Sequence, residues 1–97
     1  MRVIALNTLR QFWESHTNAR SSIQAWYDHA KHANWNSPND LAREFGQDVI
    51  LPDNRAVFKI KGNDYRLVVR INYSQHAVYI RFIGTHSEYD KIDAIQI

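Results

Sequence analysis

Three observations on this 97-residue chain predict an α+β fold with an antiparallel sheet. Apolar residues in the first half recur at helical spacing. Those after Gly46 alternate at strand spacing. Turn residues separate four consecutive strand-like runs instead of helices, which argues for a meander with helices on one face. "RVIAL" at 2–6 is short and rich in β-formers and predicts a first strand. Asn7 is placed to cap a helix to about Ser15, with Leu9, Phe12 and Trp13 on one face. Asn18 is placed to cap a second, whose stripe is Ile23, Trp26, Tyr27 and Ala30; these aromatics read as core. "NSPNDLAREFG" predicts a short third helix, with Ser37 as cap, Pro38 at its first position, Asp40 as in a capping box, and Gly46 as the left-handed stop. "DVILP", "RAVFKIK", "DYRLVVRINY" and "HAVYIRFIG" then read as strands, broken at Pro52-Asp53-Asn54, Gly62-Asn63 and Ser74-Gln75.

Ninety-seven residues support one core, so residues 1–97 are read as a single domain. The chain is 44% hydrophobic and has three Trp, five Tyr and four Phe, enough for a packed interior. It contains no Cys, which excludes disulfides and thiolate zinc sites. The first residues show no signal peptide, and no run approaches the roughly 18 apolar residues of a membrane span. A soluble, cytoplasmic protein without a membrane partner is expected.

The net charge of +2 is modest, but its distribution is uneven. Residues 1–52 carry five basic and five acidic side chains. Residues 55–83 carry Arg55, Lys59, Lys61, Arg66, Arg70 and Arg81 against Asp64 alone. A tight turn at Gly62-Asn63 would set Phe58 opposite Leu67 and Lys59 opposite Arg66. A turn at Ser74-Gln75 would set Val69 opposite Ile80, Arg70 opposite Tyr79 and Val68 opposite Arg81. Side chains alternate faces along a strand. One face then collects Phe58, Ile60, Leu67, Val69, Ile71, Val78, Ile80 and Phe82. The other collects Lys59, Lys61, Arg66, Arg70, Tyr79 and Arg81. Like charges opposite one another destabilise a sheet, so such a face points to a polyanion that contacts its cations. A solubilising face that blunts edge pairing is the plainer alternative.

"GTHSEYD" at 84–90 places His86, Tyr89 and Asp90 in one short turn leaving that face. His86 lies three residues from Tyr89 and four from Asp90, which makes them neighbours on a helical turn. Histidine moves protons near neutral pH, and tyrosine stacks on a base or relays a proton. Beside several cations, these groups match RNA cleavage by the 2′-hydroxyl. One group withdraws the 2′ proton, a second protonates the leaving 5′ oxygen, and Arg and Lys stabilise the charge on the phosphate. His29 and His32 read as exposed helix residues, with no further ligand beside them, so no metal site or cofactor is predicted. No P-loop, dinucleotide-binding glycine pattern or serine triad is present.

"FKIKGNDYRLVVRINY", "YIRFIGTH" and "EYDKID" resemble the HigB-type toxins of bacterial toxin-antitoxin modules, within the RelE/ParE superfamily. The resemblance covers residues 55–93 well and the helical half in outline. It implies an N-terminal strand and two to three helices on one face of a curved antiparallel sheet. It implies a metal-independent endoribonuclease that cuts mRNA on the translating ribosome and arrests growth. It further implies a HigA-type helix-turn-helix antitoxin, in a complex that is commonly heterotetrameric. By position, Arg66, Arg70, Arg81, His86 and Tyr89 are the catalytic candidates. Lys59 and Lys61 are the RNA contacts, with Asp90 beside them to hold His86 or Tyr89. Asn63 reads as turn chemistry. Two alternatives remain: a ParE-like toxin that binds gyrase without cutting RNA, and an RNA-binding module without activity.

Overall fold

A computed structural model describes all 97 residues. The chain runs β1 (Arg2–Ile4), α1 (Leu6–Ser15), a 3₁₀ turn at Thr17–Ala19, α2 (Arg20–His32), α3 (Pro38–Phe45) and a second such turn at Gln47–Val49. Next come β2 (Ile50–Leu51), β3 (Arg55–Ile60), β4 (Tyr65–Asn72), β5 (Ala77–Thr85) and the single-turn α4 (His86–Tyr89). The α+β class is as predicted.

The sheet order is β1-β5-β4-β3-β2. The meander from β2 to β5 is antiparallel, but β1 pairs with β5 in parallel. The sheet is therefore mixed, which corrects the antiparallel expectation. The helices separate β1 from the meander in sequence, so no hairpin turn dictates its direction.

The cap predictions fared unevenly. Ala5, not Asn7, precedes α1. Asn18 falls inside the 3₁₀ turn and accepts a hydrogen bond from the Tyr65 hydroxyl at 2.6 Å. Ser37 precedes α3 but its side chain makes no cap hydrogen bond, so the expected capping box is absent; Pro38 opens the helix and Gly46 closes it at φ +95°. The Asp40 carboxylate accepts from the Asn36 N–H at 2.8 Å, fastening the chain just ahead of that helix.

The registers obey the turns: Phe58 pairs with Leu67, Lys59 with Arg66, Val69 with Ile80 and Arg70 with Tyr79. Phe58, Leu67, Val69, Ile71 and Val78 are buried against Leu9, Ile23, Trp26, Trp35 and Leu41 of the helical layer. Phe58 centres an aromatic group with Trp26, Trp35 and Phe45 at 5.0–6.3 Å.

One register expectation fails. Val68 pairs with Phe82, not Arg81, because β5 carries a bulge opposite Val68 and Val69. The extra residue is Arg81. A bulge resets the alternation downstream. Phe82 therefore moves from the predicted core face to the outer, basic face, and Ile83 packs against the core instead. A side chain at Gly84 would strike the Phe82 ring, with its first carbon 2.6 Å from Phe82 Cζ.

The chain after β5 returns over the outer face. The Arg55 guanidinium donates to the main-chain oxygen of Ile97 at 2.9 and 2.6 Å and pairs with Asp53 at 2.9 Å. Val68 lies on this face yet is fully buried, which a bare sheet would not allow. No helix is long and apolar enough to cross a membrane.

Candidate functional site

The predicted site residues divide between two ends of the outer face. At the β3–β4 turn, Lys59, Arg66 and Gly84 form one row across three strands. The His86 N–H donates to the Asp64 carbonyl at 3.2 Å, which docks the start of α4 beside that turn. The turn is tight: Lys61 and Gly62 adopt φ +52° and +64°. It brings the Lys61 ammonium within 3.4 Å of Asp64.

Arg66 is 8% exposed, the only buried charged side chain of the protein. Its guanidinium donates to the Asn63 carbonyl at 3.0 Å, the Tyr65 carbonyl at 3.3 Å and the Asn63 side-chain oxygen at 3.4 Å. No carboxylate pairs with it. Asn63 thus shapes the turn and also holds the arginine, a second role that its sequence position did not suggest. Burying a charge without a counter-ion is expensive, and Arg66 shares a cavity with Lys59 in which Asp48 is the one carboxylate. Lys59 stands exposed opposite it, with no ion-pair partner.

The Thr85 hydroxyl accepts from the Glu88 N–H at 3.1 Å, while Glu88 Oε1 accepts from the Thr85 N–H at 2.8 Å. This reciprocal cap builds α4 from only four residues. These contacts with Thr85 hold the Glu88 carboxyl below its ordinary range. The helical turn sets His86 Nδ1 3.2 Å from Asp90 Oδ2. A protonated Nδ1 donating to Asp90 leaves Nε2 free for proton transfer. Asp90 therefore holds His86, one of the two partners predicted for it. Tyr89 is half-buried on the same turn.

Arg70 and Arg81 do not join this group. Arg70 pairs with Tyr79, four strand positions from the Arg66–Gly84 row, or about 13 Å at roughly 3.3 Å per residue. Arg81 projects from the bulge toward Arg70. Together they line a cleft of 420 Å³ with Tyr73, Tyr79 and Asn54. Of the three arginines expected to form one clamp around His86, Arg70 and Arg81 share this cleft and Arg66 does not line it.

His16 was missed by the sequence reading. Its ring stacks on Phe12 at 4.0 Å and meets the Tyr65 edge at 5.7 Å. Its Nδ1 lies 3.2 Å from the Phe12 carbonyl, which can only accept, so Nε2 is left free. The charge of His16 also helps to lower the Glu88 carboxyl, which places it toward the α4 corner. No sequence spacing links residue 16 to residue 88. His29 lies on the exposed face of α2 and contacts Glu44 at 2.6 Å, far from this site in the fold.

No curated protein sequence matches the chain closely. The family model HigB_toxin, described as the RelE-like toxic component of a toxin-antitoxin system, matches residues 19–92, which include every candidate side chain above except His16. Such a module pairs its toxin with an antitoxin, and on this match the chain belongs to the HigB-type, RelE-like toxin family.

Proposed function

We propose that this toxin is an endoribonuclease that cuts mRNA on the ribosome and so stops translation, and that a HigA-type antitoxin neutralises it. The observation that carries the reading is Arg66: a buried guanidinium without a counter-ion, in the same row as Lys59 and beside the His86–Asp90 pair. A phosphodiester supplies the missing negative charge. Arg66 and Lys59 bind the scissile phosphate and stabilise its transition-state charge. Lys61, shared with Asp64, contacts the backbone next to it. His86 Nε2 transfers a proton, either from the 2′-hydroxyl or to the leaving 5′ oxygen. Asp90 fixes its tautomer and ring orientation. Tyr89 stacks on or orients the adjoining base. The 2′ oxygen then bonds to phosphorus as the 5′ oxygen leaves with a proton, giving a cyclic phosphate and a free 5′-hydroxyl. In this reading the Tyr89 hydroxyl takes the other proton transfer, so acid, base and cations all come from side chains and the reaction needs no metal.

Primer extension on a translated mRNA, with and without ribosomes, tests this. Wild type is expected to cut only with ribosomes present. His86→Ala is expected to lower the rate by about 10²–10⁴-fold, the usual worth of a positioned acid or base. Growth arrest without cuts in any lane would move the reading to a gyrase-binding toxin, and a supercoiling assay would then decide.

A further inference from the structure

The cleft between Arg70 and Arg81 has no part in the chemistry above. Its two guanidinium groups make no ion pair and no hydrogen bond within the protein, and no carboxylate lines the cleft. This contrasts with Arg55, which lies directly opposite Arg70 but is satisfied by Asp53 and the Ile97 oxygen. The fold thus compensates one member of that like-charged pair and leaves the other open. The Tyr79 ring stands opposite Arg70 in the same row. Tyr73 closes the end of the cleft while packing partly against the core, where burial raises its hydroxyl above the ordinary tyrosine range and the Asp40 charge adds to the effect. The Asn54 side chain has no internal partner and completes the wall. Two free cations, an aromatic face and an amide are the groups that bind a nucleotide: phosphate to arginine, base to ring, base edge to amide.

We propose that this cleft is a second nucleotide subsite, which holds a phosphate and base of the substrate RNA strand away from the scissile bond. The proposal rests on the ribonuclease reading and assigns Arg70 and Arg81 to grip rather than to chemistry. Arg66 does not line the cleft that Arg70 and Arg81 share, and its backbone stands about 13 Å from Arg70 along β4, at roughly 3.3 Å per residue. A strand anchored at Arg66 reaches the cleft only with a neighbouring nucleotide. The bulge serves this directly, since it adds one cation, Arg81, between Ile80 and Phe82.

The test uses His86→Ala protein, so that the RNA stays intact, and reads binding by fluorescence anisotropy. The probes are a labelled dinucleotide and a labelled hexanucleotide. Arg70→Gln and Arg81→Gln, each added to His86→Ala, are expected to weaken hexanucleotide binding about tenfold, the worth of a charged hydrogen bond. Tyr79→Leu is expected to weaken it several-fold through lost stacking. Dinucleotide binding should stay within twofold throughout. Unchanged hexanucleotide binding would overturn the subsite, as would an equal loss on both probes, which would return the arginines to the scissile phosphate. Cleavage by wild type, assayed in parallel, separates the two claims. Cuts with unchanged hexanucleotide binding overturn the subsite alone, whereas neither cuts nor binding overturns the ribonuclease reading as well.

Discussion

Arg66 carries a charge that the fold buries without pairing it. Its hydrogen bonds go to neutral oxygens, so its charge is solvated by the turn but never cancelled. Replacing a buried ion pair by apolar side chains of similar volume is often neutral or stabilising, by about 1–4 kcal/mol, and a buried charge without a partner has no pair attraction to lose. Arg66→Met is therefore expected to unfold within about 1 kcal/mol of wild type, or later, in a denaturant titration. Its cleavage rate should nevertheless fall by about 10²-fold or more, the usual worth of one preorganised donor at a developing charge. A loss of more than about 2 kcal/mol with cleavage intact would make Arg66 a structural residue. Candidate residues of this kind were legible in the sequence, because cation, histidine and tyrosine types stand out by number. Their environment was not. Nothing in the letters distinguishes Arg66, which is buried, from Arg70 four positions on, which is exposed.

Among elements, α2 and α3 are tied by one carboxylate. Glu44 accepts from the Trp35 indole N–H at 2.9 Å and contacts His29 Nε2 at 2.6 Å. Burial opposes the charge on Glu44, but the hydrogen bonds from Trp35 and His29 outweigh it and hold the carboxyl below its ordinary range. A carboxyl lowered on folding stabilises above its unfolded value and loses that contribution as pH falls through the folded one. Unfolding free energy, monitored by tryptophan fluorescence in urea, should therefore decline once pH drops below the ordinary glutamate range of about 4.3. Glu44→Gln should flatten that decline, and an unaltered pH profile would remove Glu44 from the account. The strand pairings near the turns were readable because Gly62-Asn63 and Ser74-Gln75 set the registers. The bulge was hidden, since "YIRFIG" fits a plain alternation, and only the competing demands of Phe82 and Ile83 hinted otherwise. The parallel pairing of β1 was also hidden, because it is decided across the whole chain.

The whole molecule spans 33 × 26 × 21 Å, and one broad face of it is a cationic sheet. Lys59, Arg66, Arg70 and Arg81 all lie there without a carboxylate partner, in two groups at opposite ends. Each contact to a single strand's phosphate releases condensed counterions, at roughly 0.7 per contact, so four predict a log–log salt slope of about −3. Titration of hexanucleotide affinity against salt checks this, and a slope near zero would detach the face from nucleic acid. Loss of any one cation should shrink the slope by roughly 0.7. Chain length, unlike charge, tolerates a change at one place in β5. Ile80 and Phe82 already stand in step with β4 on either side of the bulge. Losing the codon for residue 81 would leave Ile80 inward, Phe82 outward and Ile83 inward, as they are now. Losing a codon from 82 to 85 while the bulge stayed would invert the rest of the strand and turn His86 away from its corner. The strand therefore contains a removable letter, and the protein has placed a cation in it.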